Sequence, residues 1–372
     1  MRSWASGVYL LSGKRSGAEQ SPTYAAFTAE LILICAAAAL SAGAGFPQRT
    51  LDRLGAFAAF AEWLPRTNGG FGDDDEGRAV TLGNEANYVQ SVAAAIHGFT
   101  HQTGQLPQAD DFRSIFFGAP KARGLDCTGL KTFSDGGLSV WRGTMAGRTV
   151  ELTLDHGPLG YLSIAAHGHA DALALNLWID GKPVIVDPGT WLYGSGGAWR
   201  DWLRSTPAHN TLNIDGQSQS VMSGSFNWSL KANTILERTD DQPNVLRARH
   251  DGYKGRFGVE HQRTLEWSPD GIEVLDRLLG DEREAEIVFQ LANGLTAKQA
   301  DNVVHVYCDR QPLLSIAFPD ARIKIRSGGA KPGQGGWVST RFGQRRPAER
   351  ISWQGRIGQP GVSCRIRIDV PR

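Results

Sequence analysis

From Leu173 to Val186 the sequence alternates with period two around a turn signal. Leu173, Leu175, Leu177 and Ile179 interleave with Ala174, Asn176 and Trp178; Asp180-Gly181 follows, then Val184 and Val186. Asp-Gly between two such runs is the strongest short-range hairpin signal a sequence carries. A chain with this feature must build antiparallel sheet here. Asp215-Gly216 and Asp270-Gly271 repeat the signal, and the strand-turn rhythm runs to Arg372.

Upstream the text is helical. Ser21-Pro22 reads as a helix start, with Ser as N-cap and Pro at the first helical position, and an Ala- and Leu-rich stretch runs to Gly43. Phe46-Pro47 opens a second helix through Leu51, Leu54, Phe57, Phe60 and Leu64, which Pro65 ends; a third is expected around Ala86 to Phe99. Short loops between Ala-rich helices point to layered helical hairpins. The expected fold class is α+β multidomain: a helical domain over 1–120 and a large antiparallel β-sandwich domain over 125–372.

Composition narrows the function classes. The 372 residues carry 39 Lys and Arg against 38 Asp and Glu, a formal charge of +1, which excludes the chain-wide basic field of a nucleic-acid binder. Cys35, Cys127, Cys308 and Cys364 form no CxxC pair and are expected as buried small hydrophobes. Met1 to Lys14 has no apolar core of signal-peptide length. The apolar run Leu31 to Leu40 is about half the ~20 residues that span a bilayer, so no membrane insertion is expected.

Chemistry-bearing residues are densest between His167 and His209. A two-residue turn at 180–181 places Asp187 opposite Ala174, at the same end of the hairpin as His167 and His169, and His209 follows in Ala-His-Asn-Thr. Two imidazoles and a carboxylate suit Zn²⁺ and leave one tetrahedral position open. In an extended segment His167 and His169 point the same way, so one can bind metal while the other faces a cleft. The competing reading makes all of them hydrogen-bonded residues of a sheet rim.

These blocks carry a family resemblance. Gly-Pro-Leu-Gly (157–160), His-Gly-His-Ala-Asp-Ala-Leu (167–173), Val-Asp-Pro-Gly-Thr (186–190), Trp-Arg-Asp-Trp-Leu-Arg-Ser-Thr (199–206) and Ala-His-Asn-Thr (208–211), with Glu-Gln-Ser-Pro-Thr-Tyr (19–24) upstream, resemble heparinase II/III. That family comprises polysaccharide lyases with an α/α-toroid followed by a β-sandwich, which makes the helical text here an incomplete N-terminal α/α-toroid. The resemblance implies one structural zinc per chain on His169, Asp187 and His209, with His167 and Tyr24 catalytic. A position in the first turn of a helix would favour a Tyr24 phenolate. The implied reaction is β-elimination on a uronate-containing acidic polysaccharide, and the implied location is the periplasm or cell envelope.

The sequence departs from the family in one respect. The residue that neutralises the uronate carboxylate lies, in the relatives, on toroid helices well before the tyrosine block, whereas no Asn precedes Asn68 and no His precedes His97. Either the chain is a truncated reading of a longer one, which is the favoured expectation, or it has lost that part of its cleft, and activity of the chain alone is in doubt. Arg204 is the expected grip on an acidic sugar, and Arg200 is expected either there or in an ion pair. At least two of Trp191, Trp199 and Trp202 are expected in the core. Asp73 to Glu76 reads as a solvated turn, His156, His250 and His261 as satisfied structural histidines, and His97 and His101 as surface residues. Two alternatives compete with the lyase: a zinc hydrolase, and a non-catalytic module that binds acidic glycan. The glycan and the oligomeric state are not legible.

Overall fold

The structure is a computed structural model that describes residues 20–65, 71–81, 87–100, 112–118, 127–160, 164–237 and 242–370; His101 lies outside them. Helix α1 spans Pro22–Ser41, α2 Gln48–Ala61 and α3 Tyr88–Phe99. Ser21 caps α1 as expected, its Oγ accepting from the Tyr24 N–H. Leu33, Leu54, Phe57, Phe60, Val92 and Ile96 are buried together where the three helices meet. With 20 residues and mean hydropathy 1.8, α1 is long and apolar enough to cross a membrane. Here its inner face packs on the other helices, and Glu30 is buried in an ion pair with Arg113 at 2.7 Å, with a hydrogen bond from Tyr88. A helical toroid is only partly evident among the described residues.

From Gly129 onward the chain is mainly β, with short helices at Ala198–Leu203 and Lys254–Phe257. Gly129–Phe133, Leu138–Met145, Arg148–Asp155, Leu175–Ile179 and Lys182–Ile185 form a five-stranded antiparallel sheet in chain order. An eight-stranded sheet is centred on Gly271–Leu279, and a four-stranded sheet carries Arg283–Gln290 between Glu349–Ile357 and Leu212–Ile214. Leu152, Leu177, Leu265, Val274, Ile287, Trp353 and Ile366 bring these sheets to one shared core, the arrangement of stacked antiparallel layers. Asp180 and Gly181 both take positive φ (50° and 71°), as the hairpin demands. Trp178 pairs with Pro183 and Ile179 with Lys182, but a bulge then pairs Leu177 with Ile185. Asp187 therefore lies past the ladder rather than opposite Ala174.

Several expectations are corrected. His97 is buried and meets Glu62 at 3.0 Å, because α3 turns that face inward. Cys127 and Cys364 are buried, but Cys35 and Cys308 are partly exposed. None of Trp191, Trp199 and Trp202 is fully buried; Trp191, Trp199 and Trp337 surround the Arg345 guanidinium at 4.2, 3.6 and 4.8 Å.

One polar network crosses the core. Arg263 donates Nε and Nη2 to the two Asp276 oxygens (2.8 and 2.9 Å), and His261 joins Asp276 at 2.6 Å. All three are fully buried. Burial raises the Asp276 carboxyl, but Arg263 and His261 outweigh it and hold it at about 2. Stability from this carboxylate is thus present above its unfolded value of about 4 and is lost as pH falls toward 2, a contribution of about 2 kcal/mol. Asp276→Asn leaves Arg263 buried and unpaired, and it is expected to cost about 3–5 kcal/mol in urea unfolding while flattening the acid limb. Unchanged acid unfolding in the variant would contradict the assignment.

Candidate active site and metal cluster

The helical block and the sandwich meet at Asp73, which is fully buried. Its carboxylate contacts His167 Nδ1 at 3.3 Å, His169 Nε2 at 3.0 Å and Arg200 Nη2 at 2.6 Å, and Arg200 Nη1 also donates to it. Burial raises this carboxyl, but the histidines and Arg200 more than offset that and hold it well below the usual range. An ionised carboxylate only accepts, so both histidine nitrogens facing it carry protons. The acidic loop is therefore an anchor, not a solvated turn. Asp73 is fixed in turn: its N–H donates to the His167 carbonyl and its carbonyl accepts from Ser21 Oγ. Gly72 precedes it at φ +67°, and a Cβ there would lie 2.0 Å from the Gln20 carbonyl oxygen, so only glycine fits.

Tyr24, in the first turn of α1, stacks on His167 with centroids 3.9 Å apart and planes 23° apart. Its hydroxyl shares a 2.7 Å hydrogen bond with Tyr193. Burial pushes the Tyr24 phenol above its ordinary value, Asp75 and Asp73 push the same way, and Tyr193 only partly opposes them. The helix terminus does not win here. Tyr24 is therefore a neutral phenol rather than the phenolate that a helix N-terminus would favour.

Beyond Asp73, His169, Asp171, Asp187 and His209 each bring one ligand atom within 4.8 Å of the others. His209 Nδ1 meets Asp187 at 2.7 Å. The fit to a metal is tested by the atom left over: His169 Nδ1 is buried without a partner. Asp73 accepts a hydrogen bond from His169 Nε2–H, which leaves Nδ1 with a lone pair, as in carboxylate–histidine–metal pairs. Burial and then Asp187 push the Asp171 carboxyl up, against His209, to about 7. Two nitrogens and two carboxylates packed this closely match the donor set of a borderline divalent cation.

Arg263 ties the two ligand-bearing segments together. Its Nη1 donates to the Leu173 carbonyl at 2.8 Å and the Asn210 carbonyl at 2.6 Å, just beyond Asp171 and His209. Asn210 Nδ2 in turn donates to the Val186 carbonyl, beside Asp187.

Arg204 is not at the site. It is fully buried, donates to the Gly224 and Ser225 carbonyls at 3.1 and 2.7 Å and lies over the Trp228 ring. Burial and Arg200 lower it to about 10. This geometry supports a structural role in place of the expected grip on substrate. Arg200 pairs with Asp73, not with Asp201. Sequence reasoning missed Asp73, Asp171 and Tyr193. Asp171 had a signal, since it sits two residues from His169 within the quoted block; Asp73 had none, its partners being 94 to 127 residues away.

The chain is expected to hold one divalent ion, and Co²⁺ loading should give the absorption of a four-coordinate site. His209→Ala and Asp171→Asn should each weaken Zn²⁺ at least tenfold in chelator competition. Equal affinity in both variants would remove these residues from the site.

Residues 127–367 match the family model described as Heparinase II/III-like, C-terminal. A heparin-sulfate lyase of Bacteroides stercoris is 22% identical over 185 residues, which are 47% of this chain and 25% of that protein. A heparinase III structure aligns with all of this chain and 54% of its own, with a TM-score of 0.75 and 17% identity. A heparan sulfate lyase structure from Pedobacter heparinus aligns with 99% of this chain and 55% of its own, at 0.72 and 18%. The chain thus spans about half the length of the structures it matches. With the family model covering well over half of its residues, the chain belongs to the heparinase II/III-like family.

Proposed function

We propose that the chain is part of a polysaccharide lyase that cleaves a uronate-containing acidic glycan by β-elimination. The observation that carries this reading is the stacked Tyr24–His167 pair, with Asp73 behind the imidazole and Tyr193 on the phenol. In this reading the C5 proton passes to a base, the C4–O bond breaks, a C4=C5 double bond forms, and the glycosidic oxygen takes a proton. Asp73 occupies His167 Nδ1, which leaves Nε2 as the basic nitrogen for C5. The neutral Tyr24 phenol supplies the proton to the leaving oxygen, with Tyr193 holding its hydroxyl. Neutralising the uronate carboxylate falls to a group other than this pair.

We assign the metal as a structural zinc on His169, Asp187 and His209, with Asp171 as a fourth ligand. When bound it would cross-link the loops behind His167. Four protein ligands leave no open position for metal-activated water, which weighs against the zinc hydrolase. The helices over 1–120 are read as part of an α/α-toroid and 125–372 as the sandwich domain, with the periplasm or cell envelope as the location. The non-catalytic glycan-binding module stays as a second reading because the chain spans only about half of its structural relatives.

Unsaturated uronate ends absorb in the ultraviolet, and their appearance on an acidic polysaccharide is the test. Tyr24→Phe and His167→Ala should each lower the rate about 10²–10⁴-fold. New reducing ends without that absorbance would indicate a hydrolase. Glycan retention with neither product would leave the binding module standing.

A further inference from the structure

Next to the Tyr24–Tyr193 pair is a cavity of about 640 Å³ that meets the proposed metal site only at Asp187. The hairpin formed by Trp337–Arg341 and Gln344–Pro347 makes one wall, and the turn after Asp187 makes another. The walls are fixed to each other: the Ser339 N–H donates to the Pro188 carbonyl at 2.8 Å, and Ser339 Oγ accepts from the Trp191 N–H at 2.9 Å. Gly189, at φ +78°, lets the turn approach, since a Cβ there would lie 2.2 Å from the Ser339 carbonyl oxygen. The cavity is therefore built by backbone contacts, not left by loose packing.

Its position is set by Phe342, which lines it and makes an edge contact with Tyr193 at 5.2 Å. Phe342 thus links the cavity to the ring of Tyr193, whose hydroxyl bonds Tyr24. Val186, Val338 and Phe342 give it apolar walls, while Thr190 and Asn293 add polar groups. That mixture suits a sugar ring, which has apolar faces and a polar edge, and the volume falls within the roughly 300–1,000 Å³ of small-ligand sites, enough for about two pyranose units.

The charges on the wall do not cancel equally. Asp187 faces His209, and Arg341 is paired with Glu76 at 3.1 Å. Asp74 also lines the cavity, and burial pushes its carboxyl up, with the Glu76 backbone and Thr23 opposing. Arg346 is exposed and lines the same cavity with no ion-pair partner among the described residues. A guanidinium in this position can bind a carboxylate or sulfate through two hydrogen bonds.

We propose that this cavity binds the acidic saccharide unit next to the one being cut, with its anionic group on Arg346 and its ring against Phe342. The assignment rests on the lyase reading for the identity of the chain it holds, but binding can be measured apart from cleavage. The test uses the full chain carrying Tyr24→Phe, loaded with Zn²⁺, titrated by calorimetry with a heparan sulfate tetrasaccharide and with an unsulfated alginate tetrasaccharide. Arg346→Ala should weaken the better ligand about tenfold or more, Arg346→Glu should abolish it, and Arg346→Lys should keep most of it. Filling the cavity with Val338→Trp should also block binding; Arg346 is exposed, so its variants keep the assignment testable if Val338→Trp does not fold. Preference for the sulfated ligand would assign sulfate to Arg346, and equal binding would assign the carboxylate. Wild-type affinity in Arg346→Glu, or no binding of either tetrasaccharide by the folded chain, overturns the proposal. Unsaturated product from the Tyr24 chain with binding insensitive to Arg346 would sink the cavity and keep the lyase. Arg346-sensitive binding without any such product would do the reverse.

Discussion

Everything at this site depends on one buried carboxylate. Asp73 comes from the loop between α2 and α3, yet its oxygens face His167, His169 and Arg200 of the β half. A buried carboxylate is costly unless donors surround it, and once they do, removing any one of them is costly as well. The contact therefore does three things together. It joins the helical block to the sandwich, sets the ring of the proposed base, and fixes which nitrogen of His169 remains for a metal. Arg200 completes the shell and also reaches the Ser225 carbonyl, beside Phe226, whose ring packs against His167 and Tyr193.

A second buried pair carries the same logic deeper. Asp276 and Arg263 stand in the eight-stranded sheet, and the guanidinium that Asp276 orients donates onward to the carbonyls of Leu173 and Asn210. Leu173 holds a positive φ of 62°, an uncommon conformation for a branched side chain that its surroundings must enforce. The candidate metal cluster thus sits between two fixed charges, Asp73 on the helical side and Arg263 on the sheet side. A bound cation would relieve the crowding of Asp171 and Asp187, and its affinity would depend on how well the two networks hold the ligands in place.

The fold was largely legible because its signals are local. Ser21-Pro22 and Asp180-Gly181 each act over a few residues and the structure follows them closely, while of the alternating leucine run only Leu175–Ile179 is strand, with all five residues buried. The failures were at long range. The bulge after Leu177 depends on how the Lys182–Ile185 strand passes toward Leu291, which no turn rule encodes. Asp73 looked like any acidic loop residue, since nothing within its own sequence neighbourhood reveals three cationic or imidazole partners from another layer. Arg204 matched a motif block and so was read as reaching substrate, whereas the fold turns it inward onto backbone carbonyls. The Tyr24 phenolate followed from a helix-terminus argument; burial and two nearby carboxylates overrode it. Motif position therefore located residues better than it assigned their ionisation or direction.

The shared role of Asp73 can be read most directly from the ¹⁵N side-chain spectrum of the histidines in the metal-free chain, recorded with and without Asp73→Asn. His169 is expected to carry its proton on Nε2 and His167 one on Nδ1, and both signals are expected to move together in the variant. A His169 proton found on Nδ1, or a variant in which neither ring responds, would contradict the placement of Asp73 at the centre of the site.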